Sequence, residues 1–245
     1  QEERLGATIS ANGSMDLSTV YLTTPSANLG LSLDLYSDVI MRPDFAESEV
    51  ARLRSQQLAS IAQEATQPNG LATRTLAPLI FGAHHPYGRP NSGLGSVASV
   101  SALDRAALAN YAHRWLRPET ARMFVVSNLP LRQITPMLEQ RFGSWRGDAS
   151  TPVGVKDFSV VIPDARSRIV LVDRPQSPQS IIYAGEVTPV NGSRDDTLTL
   201  NSANEALGGG FLSRLNQEIR EHRAWSYGMS TTIAQRAHQS PFILN

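Results

Sequence analysis

Apolar and polar residues alternate at 7–12 and again at 17–24, on either side of Asn12-Gly13-Ser14. Strict alternation separated by a turn sequence predicts a β-hairpin. The period then changes. Leu29, Leu33, Tyr36 and Ile40 recur at helical spacing between Asn28 and Met41, and Pro43 stops the run. A second helix is expected from about Ala46 to Thr66, closed by Pro68, Asn69 and Gly70, and a third from roughly Leu71 to Phe81. Ser101-Ala-Leu-Asp104 has the form of a capping box and opens a helix to about Leu116. Ala121–Ser127 reads as a short buried strand and Leu131–Phe142 as an amphipathic helix. Arg146–Val155 is rich in Gly, Pro, Ser and Thr and marks a domain boundary. Beyond it, Arg168–Asp173 and Ser180–Val187 read as strands and Arg194–Leu207 as a helix.

The most information sits between Gly208 and Ser230. Three glycines, Gly208, Gly209 and Gly210, end one segment. Phe211, Leu215 and Ile219, with Leu212 beside them, form an apolar stripe expected on a helix that closes in the charged run Arg220–Arg223. Tyr227 opens a run, to Ile233, that reads as a strand. Glycine permits positive φ or close backbone approach. Arginine offers a planar fork of donors, and tyrosine a hydroxyl that can donate to a carbonyl oxygen. From pattern alone, a solvated helix end followed by a half-buried tyrosine is the favoured reading.

Composition narrows the chemistry. Lys plus Arg and Asp plus Glu are both 22, so the net charge is zero and nothing points to nucleic acid or an anionic membrane surface. There is no cysteine, which excludes thiolate zinc sites, disulfides and thiol nucleophiles. No apolar run approaches the ~20 residues that span a bilayer. The 245 residues suit one large or two ordinary domains. Gln1–Leu5 reads like the tail of a helix, so an excised or processed piece is expected. His84 and His85 lie in a Gly/Pro-rich loop, Gly82–Pro90. Side chains at i and i+1 diverge and no third ligand follows at metal spacing, so a structural role is expected.

The run GGGFLSRLNQEIREHRAWSY resembles the GGG-x-x-SRL-x-x-E-x-R-E-x-R-x-x-x-Y segment of inverzincin zinc peptidases, the M16 or pitrilysin family. The HPYGRP loop and the stretch HRWLRPETARMFVVSN, followed by a helix ending in RFGSW, resemble the same family. The resemblance implies an α+β fold of two domains, each an antiparallel sheet flanked by helices. The first would occupy 1–147, the linker and domain start 148–166, and the second 167–245, both incomplete. It implies that Arg220 holds the substrate backbone, that Tyr227 stabilises the tetrahedral oxyanion, and that Gly208, Gly209 and Gly210 border the bound peptide.

An active member needs H-x-x-E-H, with zinc acidifying a water that the Glu activates. No such motif occurs here, and Ser60 stands where the family places a further ligand Glu. Glu64, one turn later, is the remaining carboxylate on that face. The resemblance therefore implies a non-catalytic half. It would hold no metal itself and would pair with a zinc-bearing H-x-x-E-H half, in one polypeptide or as a heterodimer, or else form a homodimer. Its partner molecule would be a peptide, with no nucleic acid and no membrane span. Two further readings stay open: a non-proteolytic scaffold of the respiratory-complex core-subunit type, and an enzyme whose zinc helix lies upstream of Gln1. Bacterial tandem proteins of this type are often exported, which implies the periplasm.

Overall fold

The computed structural model describes residues 1–192 and 196–245. In chain order the elements are α1 (Glu2–Leu5), β1 (Thr8–Gly13), β2 (Ser18–Thr23), α2 (Leu29–Met41), α3 (Glu47–Thr66), α4 (Pro68–Phe81), α5 (Val97–Ser101), α6 (Arg105–Trp115), α7 (Leu131–Phe142), β3 (Ala184–Thr188), α8 (Asp196–Asn204), α9 (Arg214–Asn216), β4 (Thr231–Ile233) and β5 (Ser240–Leu244). The fold is α+β, with small antiparallel sheets flanked by helices. Two compact units divide it. One comprises Gln1–Leu58 with Ser96–Lys156, the other Ala59–Gly95 with Asp157–Asn245.

The first unit carries the β1–β2 hairpin, registered from Thr8 opposite Thr23 to Gly13 opposite Ser18. The Ser14 hydroxyl accepts the Leu17 amide at 3.0 Å and closes the turn. The helical spacing of α2 buries Leu33, and beside it the small Ser32 is fully buried. Its hydroxyl is satisfied by Thr24 Oγ1 at 2.8 Å, as a buried polar group requires. Tyr36 on α2 donates to the Val20 carbonyl at 2.8 Å, and burial pushes its phenol pKa up. Arg141 on α7 reaches back to α2, donating to Asp34 at 2.7 Å and to the Gly30 carbonyl at 2.8 Å. Leu33, Val50, Val100, Ala112 and Ile134 make the apolar core of this unit. The Gly/Ser/Thr-rich segment near 150 is a folded turn. Buried Arg117 donates to the carbonyls of Asp148 at 3.1 Å and Thr151 at 2.5 Å. Hydrogen bonds from Ser150 and Thr151 bring the Asp148 carboxyl down to about 2.

In the second unit β5 lies between β3 and β4, antiparallel to both. Helix α4 covers this sheet: a Cβ on Gly185 of β3 would lie 3.1 Å from the Leu76 side chain. Below it Phe81, His85, Tyr87, Phe158 and His238 form one aromatic cluster. The His85 ring stacks on Phe81 at 5.2 Å, and Phe158 stacks on His238 at 3.7 Å. His85 is 1% exposed and its Nδ1 accepts the Tyr87 amide at 3.1 Å. The HPYG turn itself leaves no room at Gly88, where a Cβ would sit 1.9 Å from the Gly82 carbonyl oxygen. Of the two adjacent histidines, His85 is packed inside the turn and His84 is exposed.

Several expectations change. Helix α4 starts at Pro68, earlier than Leu71, because proline fits the first helical turn, where its missing N–H has no partner to lose. Helix α6 is capped by Asp104, whose carboxylate accepts the Ala107 amide at 2.7 Å, and Ser101 ends α5 instead. Ala121–Ser127 and Arg168–Asp173 form no strand among the described residues. Phe124 and Ile169 are 90% and 99% exposed there. An apolar run becomes a strand only when a neighbour takes up its N–H and C=O groups. Of the expected Ser180–Val187 strand, the ladder with β5 takes in only residues from Ala184 on. The expected helix start at Arg194 lies outside the described residues.

Phe81 is 2% exposed within the aromatic cluster, so Phe81→Ala should lower unfolding stability by about 3–5 kcal/mol, measured by chemical denaturation. Burial first, and neighbouring His238 second, hold the His85 imidazole below its ordinary 6.5. A base with a depressed folded pKa binds more protons when unfolded, so its stabilisation is complete above pH 6.5 and is lost as pH falls below it. Melting temperature should therefore drop between pH 7 and pH 5, with a shallower slope in His85→Asn.

Candidate functional site

The stretch singled out by sequence lies wholly in the second unit. After α8 the backbone widens into a π-helical turn, Glu205–Gly209. Such turns break the regular ladder and recur at functional positions. None of Gly208, Gly209 and Gly210 has positive φ. Close approach requires glycine at 208, against the buried Thr231, whereas at 209 and 210 the near atoms are the movable end of exposed Glu205. A Cβ on Gly208 would sit 2.4 Å from Thr231 Oγ1, and Cβ atoms on Gly209 and Gly210 would lie 2.8 Å and 2.6 Å from the Glu205 carboxylate oxygens. Gly208 is buried, Gly210 half-buried and Gly209 exposed.

The apolar stripe does not start a helix at Phe211. Helix α9 begins at Arg214 and passes into a second π-helical turn, Gln217–His222. Leu215 and Ile219 are half-buried as the stripe predicts, but Phe211 and Leu212 precede the helix and are exposed. The glycine turn sets this boundary: Gly210 accepts the Ser213 amide at 3.1 Å, and the Ser213 carbonyl then accepts from Gln217 at 2.9 Å. Phe211 is freed for another partner. The Arg220 guanidinium lies 4.2 Å from its ring centre and 5.6 Å from that of Tyr227. Cation–π attraction of this kind is worth about 0.5–1 kcal/mol at an exposed site.

Arg220 and Tyr227 are therefore brought together, and Gly210 is next in sequence to Phe211, the ring beneath Arg220. Tyr227 is 93% exposed, not half-buried, and sits on an irregular segment; the expected strand is confined to Thr231–Ile233. Nearby charges are unequally committed. Arg223 is held by Glu218 at 2.5 Å and lies 4.6 Å from the centre of the Trp225 ring. Hydrogen bonds from Arg223 and then His222 keep the Glu218 carboxyl below its usual range. Arg220 has only a 3.5 Å contact with Glu221. Its ion contact is the longer of the two, although its side chain is the less exposed, 27% against 48%.

One residue that periodicity gave no reason to notice is Asn216. It is 8% exposed, donates to the Gly210 carbonyl at 3.2 Å, and accepts the Met229 amide at 2.9 Å. No pattern of spacing marks an asparagine in a short helix as a bridge between two loops.

The residues that would have to hold zinc do not fit that role. Ser60 offers a neutral hydroxyl. Glu64 is committed to Arg74, whose Nε donates to its carboxylate at 2.9 Å. Burial alone would raise the Glu64 pKa, but hydrogen bonds from Ser92 and Arg74, with the Arg74 charge, bring it below the usual range. Among the described residues no group of three His, Asp or Glu is placed to hold a metal ion. No described helix is long and apolar enough to cross a membrane.

Comparison with known proteins agrees with this architecture. The chain is 28% identical to an uncharacterized zinc protease of Mycobacterium tuberculosis over 231 residues, 94% of this chain and 51% of that protein. It thus spans about half the length of the curated relatives it matches. Among solved structures, the peptidase M16 inactive domain from Pseudomonas fluorescens superimposes with a TM-score of 0.84 at 21% identity, over 99% of this chain and 57% of that one. A protease from Helicobacter pylori gives the same TM-score, 0.84, at 18% identity, over 99% and 58% of the two chains. Residues 102–245 match the peptidase M16 inactive domain, and the chain belongs to that family.

Proposed function

We propose that this chain is the part of an M16 zinc metallopeptidase that lacks the zinc motif and serves peptide hydrolysis through Arg220 and Tyr227. The observation that carries the reading is their pairing: the Arg220 guanidinium rests between Phe211 and an exposed Tyr227 whose hydroxyl faces solvent. In this reading the two family domains meet at residues 148–166, and the complete site needs an H-x-x-E-H half. Zinc bound by that half supplies the acidified water. The glutamate of that motif would take the proton from this water, and holding the peptide and its oxyanion falls to groups on this chain.

An extended peptide would pass the turn Gly208–Gly210 on its exposed side, at Gly209 and beside the exposed Phe211. The Arg220 fork donates to a substrate carbonyl and fixes the peptide register. Its present contact with Glu221 is a surface ion pair, of the kind worth roughly 0–1 kcal/mol, so exchange for a substrate carbonyl meets little opposition. The Tyr227 hydroxyl donates to the carbonyl oxygen as negative charge builds on it. Such a donor acts in the transition state more than in the ground state.

Two substitutions test this in the assembled enzyme with a fluorogenic peptide. Tyr227→Phe should lower kcat by about 10²-fold or more with KM little changed, as expected for one lost oxyanion donor. Arg220→Ala should raise KM by roughly tenfold or more, the worth of a charge-assisted hydrogen bond. Unchanged cleavage in Tyr227→Phe would overturn the oxyanion role.

A further inference from the structure

Asn216 is a buried side chain that touches both loops of the candidate site. Its geometry fixes its orientation. A carbonyl can only accept, so the Gly210 oxygen must face the amide nitrogen, at 3.2 Å. A backbone N–H can only donate, so the Met229 amide must face the amide oxygen, at 2.9 Å. No other standard side chain of this size offers one donor and one acceptor in a plane. Asparagine is a poor helix former, and burying an amide is unfavourable unless it is paired. Packing alone would select leucine or methionine here.

The two bonds reach the two sides of the Arg–Tyr pair. Gly210 precedes Phe211, whose ring carries the Arg220 guanidinium at 4.2 Å. Met229 stands two residues after Tyr227, on a segment with no regular secondary structure. That segment is otherwise held at its ends. Trp225 donates to the Ile219 carbonyl at 3.0 Å, and Ser230 exchanges backbone bonds with Asn245 at 2.7 and 2.9 Å. Between these anchors the Met229–Asn216 bond is the contact nearest the tyrosine that ties it to the glycine turn. We propose that Asn216 is a positioning residue that sets the spacing between the peptide-binding glycine turn and Tyr227.

This rests on the reading of Arg220 and Tyr227 given above, and it assigns separate effects to the two bonds. Losing the Gly210 bond loosens the turn that receives the peptide. Losing the Met229 bond frees the tyrosine that acts at the transition state. Asn216→Asp keeps an acceptor for Met229 but places a carboxylate against the Gly210 carbonyl. Asn216→Leu removes both bonds at similar volume.

The test measures Asn216→Leu, Asn216→Asp and Tyr227→Phe side by side in the assembled enzyme with an internally quenched nonapeptide. Hydrogen exchange of the Met229 amide is followed in the same proteins. Asn216→Asp should raise KM about threefold to tenfold, the worth of one hydrogen bond, keep kcat within about twofold, and leave Met229 protected. Asn216→Leu should raise KM similarly, lower kcat by about tenfold, and speed Met229 exchange by about tenfold or more. A merely structural role would not divide KM from kcat between two variants at one position.

If Tyr227→Phe cripples cleavage while both Asn216 variants keep wild-type kcat and KM, the positioning role is overturned and the Arg–Tyr reading stands. If Tyr227→Phe has no effect, both fall together. Should Asn216→Leu fail to fold, Asn216→Asp decides: an unchanged KM overturns the inference.

Discussion

Gly208 lies so close to Thr231 that a side-chain carbon has no place between them. This contact joins the end of α8 to the start of β4. It is reinforced by Asn204 on α8, which donates to the Thr231 carbonyl at 3.0 Å. Thr231 in turn is registered opposite Leu244 in the sheet. Everything from Phe211 to Ser230 is therefore a loop of chain whose two ends are fixed against each other. The glycine turn and the tyrosine segment can approach only because this closure brings them near, and Asn216 then spans what remains.

Within that loop, weak interactions decide which charges are available. Arg223 is taken by a short contact with Glu218 and by the Trp225 ring. Arg220 is held mainly by two aromatic faces and a longer contact with Glu221. Exposed ion pairs and exposed cation–π contacts are each worth about 1 kcal/mol or less. Neither would resist a well-placed carbonyl. An aromatic cradle orients a guanidinium without neutralising it, which suits a group that must be ordered before a ligand arrives.

The face of α3 that would have to supply a metal ligand shows the opposite economy. Glu64 and Arg74 satisfy one another in a largely buried pair, and removing either would leave an uncompensated charge. A carboxylate so occupied serves the fold and not a dication. The second unit is thus organised around packing at its aromatic cluster and at Glu64–Arg74, away from the exposed Tyr227.

The helices were legible because their signals are local: Leu33 at helical spacing, Pro43 as a stop. The glycine-rich stretch with its Arg and Tyr stood out through a family resemblance, not through spacing. Other features depend on residues far apart in the chain. Ala121–Ser127 and Arg168–Asp173 have the composition of strands, yet a strand exists only with a partner, and no sequence window contains one. Phe211 fits the helical stripe, but the turn at Gly210 delays the helix and turns that ring toward Arg220. Glycine at 208 is equally consistent with positive φ or close approach until Thr231, more than twenty positions on, is seen beside it. Asn216 has no signal at all, since its meaning lies in two backbone groups on different loops. The sequence by itself determined which segments are helical, which chemistry is on offer and which family the chain resembles. Tertiary structure alone decided which of those groups meet, because contact between distant residues is a property of the closed chain.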